Sequence, residues 1–195
     1  MIKSLKQLRE RIEQSNDAFN KMTDAEKRVE IARDTLLRIN INKFNFNRTC
    51  TVDGLEDYTD SDYESVKDII NTKSIPECTV CAKGAMFLSY VGRVNDFIIG
   101  DIDDFSCSDS SIVKKLNEIF ELDQMHLIET AFETSIIHDD EMDKPLYAEC
   151  EKVREIYRSK YWNKKDRLKS ICKNIIKNNG TFVPQDLVNP NARIK

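Results

Sequence analysis

The sequence predicts a mostly α, α+β fold: a single compact helical domain over residues 1–195, with a buried central helix and a minor β element. Three observations carry this. Glycine and proline are scarce, five and four in 195 residues, where a β-sandwich or a linker-rich chain needs many more turn residues. Apolar residues recur at helical spacing through most of the chain. One stretch, KFNFNRTCTV, alternates as a strand does, with Phe44, Phe46, Cys50 and Val52 on one side. The length suits one domain. With 40% hydrophobic and 33% charged residues, the chain has the material for a core under a charged surface.

Taken in order, Leu5, Leu8, Ile12 and Phe19 predict an amphipathic helix over 4–20. Thr23-Asp-Ala-Glu26 reads as a capping box, in which Thr23 accepts from the first turn and Glu26 reaches back. It opens a helix to about Arg38 that turns Val29, Ala32, Leu36 and Ile39 inward. After the alternating strand, Asp53-Gly54 supplies a turn, and Ser61-x-x-Glu64 caps a short helix to Asn71. Ile98 and Ile99 before Gly100 predict a second short strand, and a helix follows over 110–121. Asp123 caps the next helix, with Leu122 stapled onto Leu127, and this helix ends near Glu133. Two more are expected over 145–159 and 164–178. The last buries Leu168, Ile171, Cys172 and Ile175 and stops at Gly180, a residue suited to a left-handed cap. Thr181-Phe-Val183 predicts a final strand.

The central helix is read from IPECTVCAKGAMF and the residues after it to Val94. Ser74-x-x-Glu77 caps its start and Pro76 lies in the first turn, where a missing donor costs little. At about 100° per residue, Cys78, Cys81, Ala82, Ala85, Ser89 and Gly92 share one face, and all are small. Val80, Phe87, Val91 and Val94 oppose them, which leaves only a strip with Lys83, Tyr90 and Arg93 for water. A helix apolar nearly all round is a buried one. Cys78 and Cys81 therefore read first as small packing residues. Structural zinc is the alternative use of the pair, but it needs further ligands from Cys50, Cys107, Cys150 or Cys172, none of which stands in a second close pair. A thioredoxin-like thiol at a helix start is the other, without the βαβ context it requires. No further cofactor is expected.

The remaining chemistry is sparse. No phosphate-cradling glycine loop, nucleophile elbow or His-Glu-x-x-His occurs, and no residue set nominates a reaction. His126 reads as an ordinary helix residue, and His138-Asp139-Asp140-Glu141 as a solvated acidic loop rather than a cation site. Asp101-x-Asp103-Asp104 lacks the glycine and glutamate of a calcium loop. The N-terminal MIKSLKQLRERIEQ has no apolar core of a signal peptide. The most apolar run, Gly84 to Gly92, is too short to span a bilayer. A cytoplasmic location without disulfides is expected.

Charge is the main large-scale signal. Net charge is −4, yet residues 49–70 hold seven acids against one lysine, and 96–143 hold fourteen against two. Over 151–177 the balance reverses to ten cations against three acids. Lys165, Lys169, Lys173 and Lys177 form a row at every fourth position of the last helix, where like charges repel. Tyr157, Tyr161 and Trp162 lie just upstream among Arg154, Arg158 and Lys160. Aromatics beside cations suit single-stranded nucleic acid.

Four stretches also carry a resemblance: MTDAEKRVEIARD (Met22–Asp34), CTVCAKGAMFLSYV (Cys78–Val91), LDQMHLIETAFE (Leu122–Glu133) and RLKSICKNIIKNNGTFVP (Arg167–Pro184). In combination they resemble a family of small phage- and prophage-associated proteins sharing a central CxxCAxGAxF helix. The resemblance implies a viral protein in a bacterial cell, and it brings no activity and no catalytic residues. The leading expectation is thus a non-enzymatic intracellular phage-type protein that binds another protein, as a host-takeover or anti-defence factor or a virion component. The acidic stretches, with Asp57, Asp60, Asp62, Asp101, Asp103 and Asp104, are its contact candidates, since acidic patches steer toward basic partners. The first alternative is nucleic-acid binding through Arg158, Trp162, Lys165, Lys169, Lys173 and Lys177; the second is a small zinc-stabilised domain using Cys78 and Cys81. The partner and the oligomeric state are left open by the sequence.

Overall fold

A computed structural model of the chain describes residues 17–40, 44–46, 52–53, 66–67, 78–94, 111–135 and 142–184. Its elements are helix α1 (Asp24–Asn40), strands β1 (Phe44–Phe46), β2 (Val52–Asp53) and β3 (Cys78–Val80), and helices α2 (Ala82–Val91), α3 (Ser111–Leu116), α4 (Leu122–Glu133), α5 (Lys144–Lys160) and α6 (Lys164–Lys177). The mostly helical, α+β expectation holds.

The capping box forms as the sequence implies. Thr23 N donates to Glu26 Oε2 at 2.8 Å, and Glu26 N donates to Thr23 Oγ1 at 3.3 Å. Ahead of it, a helical turn at 17–20 buries Phe19; the earlier part of the expected first helix lies outside the described residues. In α1, Ile31, Ala32, Thr35 and Ile39 are buried. The single expected strand is two short ones, placed on either side of β3 in the order β1-β3-β2. β1 runs parallel to β3 with Phe44 opposite Cys78, and β2 runs antiparallel with Val52 opposite Val80.

This sheet overturns the expected start of the central helix. Cys78–Val80 is extended, and the helix begins only at Ala82, after Cys81 as N-cap. The β-branched pair Thr79-Val80 favours extended backbone, and strands on both sides satisfy it. The burial of the helix holds in full: every residue of α2 is buried, with α1, α3 and α4 packed around it. The strip expected to meet water does not. Lys83 is 8% exposed and Tyr90 5%, because other elements supply partners. Lys83 Nζ pairs with Glu129 of α4, and Tyr90 Oη donates to Glu118 Oε2 at 2.9 Å. Arg93 stays half-buried, 3.8 Å from Asp34. Ser89, on the small face, accepts from Thr35 Oγ1 of α1 at 2.9 Å.

Other boundaries shift. α3 stops at Leu116, and Phe120 N closes a turn onto Leu116 O at 2.9 Å. α4 is capped by Glu121 rather than Asp123, and Leu122 is 49% exposed instead of stapled inward. α5 and α6 match expectation, with Asp143 accepting from Leu146 N and Asn163 from Asp166 N as N-caps. α6 packs on α1 and α4 and buries Leu168, Ile171, Cys172, Asn174 and Ile175. The final strand is absent. Asn174 takes a neighbouring strand's place: its Oδ1 accepts from Val183 N at 2.7 Å and its Nδ2 donates to Val183 O at 2.9 Å. One hydrophobic cluster runs from Phe19 to Phe182. The expected strand at 98–99 lies outside the described residues.

Candidate functional site

Among the described residues, the surface grooves large enough to hold a small group include two of interest. The first, of about 490 Å³, is lined by Met22, Ala25, Glu26, Val29, Glu30, Arg33 and Asn179. Its charges are spent within the fold: Glu26 caps α1, and Arg33 pairs with Glu30. The second, of about 350 Å³, lies where α5 meets α6 and is lined by Lys160, Tyr161, Trp162, Asp166, Lys169, Ser170 and Lys173. Two of its cations, Lys169 and Lys173, make no ion pair among the described residues, which makes it the better candidate.

The connection 161–163 that carries Trp162 is held on both sides. Tyr161 N bonds back to Tyr157 O at 3.0 Å, and Arg167 Nε donates to Tyr161 O at 3.3 Å while its Nη1 donates to Phe132 O at 3.0 Å. Ser170 Oγ donates to Tyr161 Oη at 2.7 Å. The start of α6 is tied to α4 by Lys164, which donates to both carboxylate oxygens of Glu133 and lies 5.0 Å above the Phe132 ring. On this fixed support Trp162 is 97% exposed. Indole is large and apolar, and proteins ordinarily bury most of it. Its exposure on an anchored backbone is the groove's main feature.

Lysines share the groove with the indole. Lys160 Nζ lies 5.9 Å over the Tyr161 ring, and Lys169 and Lys173 line the same groove. Among the described residues neither Lys169 nor Lys173 has an ion-pair partner. The row expected from the sequence therefore divides: Lys169 and Lys173 face the groove, while Lys165 and Lys177 do not line it and are already engaged within the protein. Arg158 is exposed near the end of α5 but outside the groove. Tyr157 is a correction. It is fully buried against Tyr161 and Phe182, so it is a core residue that no ligand reaches. Asp166 and Ser170 are site residues that sequence reasoning misses. A signal for them exists, since positions 166, 169, 170 and 173 succeed Trp162 at the spacing of one helix face.

Asp166 and Ser170 both line the groove, but the Ser170 hydroxyl donates to Tyr161 and not to the carboxylate. The arrangement can bind a flat, anionic molecule by stacking and charge.

The other candidates fare differently. Cys78 lies in β3 and Cys81 at the N-cap of α2. An extended run of that length separates their Cα atoms by roughly 10 Å, beyond disulfide reach. Burial pushes the Cys81 thiol up to about 11, against the opposing bond from Gly84. The Cys150 and Cys172 thiols are also buried and raised by desolvation. No group of three or more His, Cys, Asp or Glu suited to a metal occurs among the described residues. Asp57, Asp60, Asp62, Asp101, Asp103 and Asp104, with Cys50, Cys107 and His138, lie outside them. No helix of the described residues is long and apolar enough to cross a membrane. No protein-family model, curated protein or solved structure matches the chain.

Proposed function

We propose that this protein is a non-enzymatic binding protein whose working surface is the groove between α5 and α6, and that its ligand is single-stranded nucleic acid. The observation that carries the reading is Trp162, almost wholly exposed in a groove with two lysines that form no ion pair among the described residues. Stacking on an aromatic ring is tolerant of sequence, and phosphates would follow the lysines. The net charge of −4 does not oppose this strongly, because charges more than about 8 Å away are screened at physiological salt. The resemblance to phage proteins supplies the proposed setting, the cytoplasm of an infected bacterium or the virion.

The test uses the chain's single tryptophan. Titration with an oligodeoxynucleotide or oligoribonucleotide should quench Trp162 emission. With three cations engaged (Lys160, Lys169 and Lys173), log affinity should fall against log salt with a slope of about −2. Lys169→Glu with Lys173→Glu should abolish binding, and Trp162→Ala should cost about 1–3 kcal/mol. Absence of quenching, or affinity indifferent to salt, would overturn the reading. A protein partner, the other expectation, rests on acidic stretches outside the described residues. Capture of a stoichiometric protein that survives nuclease and the charge-reversed groove would favour it.

A further inference from the structure

The groove holds one residue that simple backbone tracking does not explain. Asp166 lines it together with Trp162, Lys169 and Lys173, and a carboxylate there repels the phosphates that the lysines attract. One of its oxygens and its backbone N–H are tied to the cap of α6. Asn163 Nδ2 donates to Asp166 Oδ2 at 2.9 Å, and Asp166 N donates to Asn163 Oδ1 at 2.8 Å. Oδ1 of Asp166 has no hydrogen-bond partner among the described residues. An ionised carboxylate can only accept hydrogen bonds, so this oxygen offers a second acceptor in the same groove as the stacking ring.

We infer that Asp166 selects the base at this interface, resting on the reading of the groove as a single-strand site. It accepts from an amino-bearing edge, most simply cytosine N4, when the base lies on Trp162. Thymine and uracil place a carbonyl oxygen where cytosine has its amino group, and that oxygen faces the carboxylate with no proton between them. The two pyrimidines stack with nearly equal area and carry the same backbone charge, so a difference between them reports the edge alone.

The experiment compares homopolymeric oligonucleotides of one length, oligo(dC) against oligo(dT) and oligo(rC) against oligo(rU), at neutral pH and fixed salt, with Trp162 quenching as the readout. The wild-type chain should favour the cytosine strands by on the order of tenfold. Asp166→Asn keeps an acceptor for Asn163 and turns an amide N–H toward the base, so it should remove or invert the preference. Asp166→Ala should bind both strands with equal affinity. Equal wild-type affinities with quenching and a salt slope intact would overturn the inference and leave the single-strand reading standing. A preference that persists in both variants would also overturn it. No binding to any strand would overturn the single-strand reading itself, and this inference with it.

Discussion

At Gly180 the backbone has φ of +95°, and an added Cβ would lie 2.3 Å from Ala25 O. The left-handed residue next to the Asn178 cap is Asn179, at φ of 51°, one position before the glycine expected from the sequence; Gly180 follows with its own positive φ, and its tight approach to α1 is a second reason for glycine that no local pattern announces. Gly180→Ala should cost about 1–3 kcal/mol from the backbone alone and more from the clash, read as a lower urea midpoint. The thiols give a second residue-scale prediction. Cys81, Cys150 and Cys172 are buried and take part in no disulfide, and desolvation holds them protonated. Alkylation at neutral pH and then peptide mass spectrometry should label these three only after unfolding. The pH dependence has a definite sign. A thiol whose folded value exceeds its unfolded value stabilises the fold at low pH, and that contribution is lost as pH rises. For Cys81 the window runs from 9.0 to about 11. Asn174 marks where sequence reading stops short at this scale. It interrupts the apolar stripe of α6 as a polar side chain, and only the chain folding back at Val183 shows that both ends of its amide are used.

The helices are legible where their determinants are local. The Thr23–Glu26 box and the apolar stripe of α6 lie within a few residues of the backbone they control. The start of α2 is not. Its decision between helix and strand is made by Phe44–Phe46 and Val52–Asp53, which pair with β3 from more than two dozen residues away. The site is half legible for a similar reason: a row of lysines is visible in one helix, but which of them meets Trp162 depends on how α5 enters α6. Lys83 and Glu129 join α2 to α4, and Glu129 Oε2 is buried with no hydrogen bond, so the ammonium is its compensation. Removing one member should be worse than removing both. Glu129→Ala is expected to cost about 3–5 kcal/mol, whereas Lys83→Met with Glu129→Leu should be near neutral, both measured by denaturant titration. Equal costs for the two variants would mean that the pair does not compensate itself.

For the molecule as a whole, the distribution of aromatic residues separates folding from binding. The core is built from phenylalanine and tyrosine, while the one tryptophan stands outside it. Denaturation should therefore collapse the far-ultraviolet circular dichroism with little shift in tryptophan emission. A large red shift would mean that Trp162 is shielded, and would remove the main support for the groove. The contact between α1 and α6 reaches across nearly the entire described chain: Arg28 Nε donates to Gly180 O at 2.8 Å across a separation of 152 residues, and its Nη1 also holds Ile119 O. On a translating ribosome, α1 emerges first and must wait for its last neighbour. At roughly 5–20 residues per second, that wait is about 8–30 s, far longer than a helix takes to form. During it, the side of α1 that α6 will cover stays wet. A nascent chain cut short before α6 is thus a client for chaperones and proteases, and the cell gains no working fragment from it.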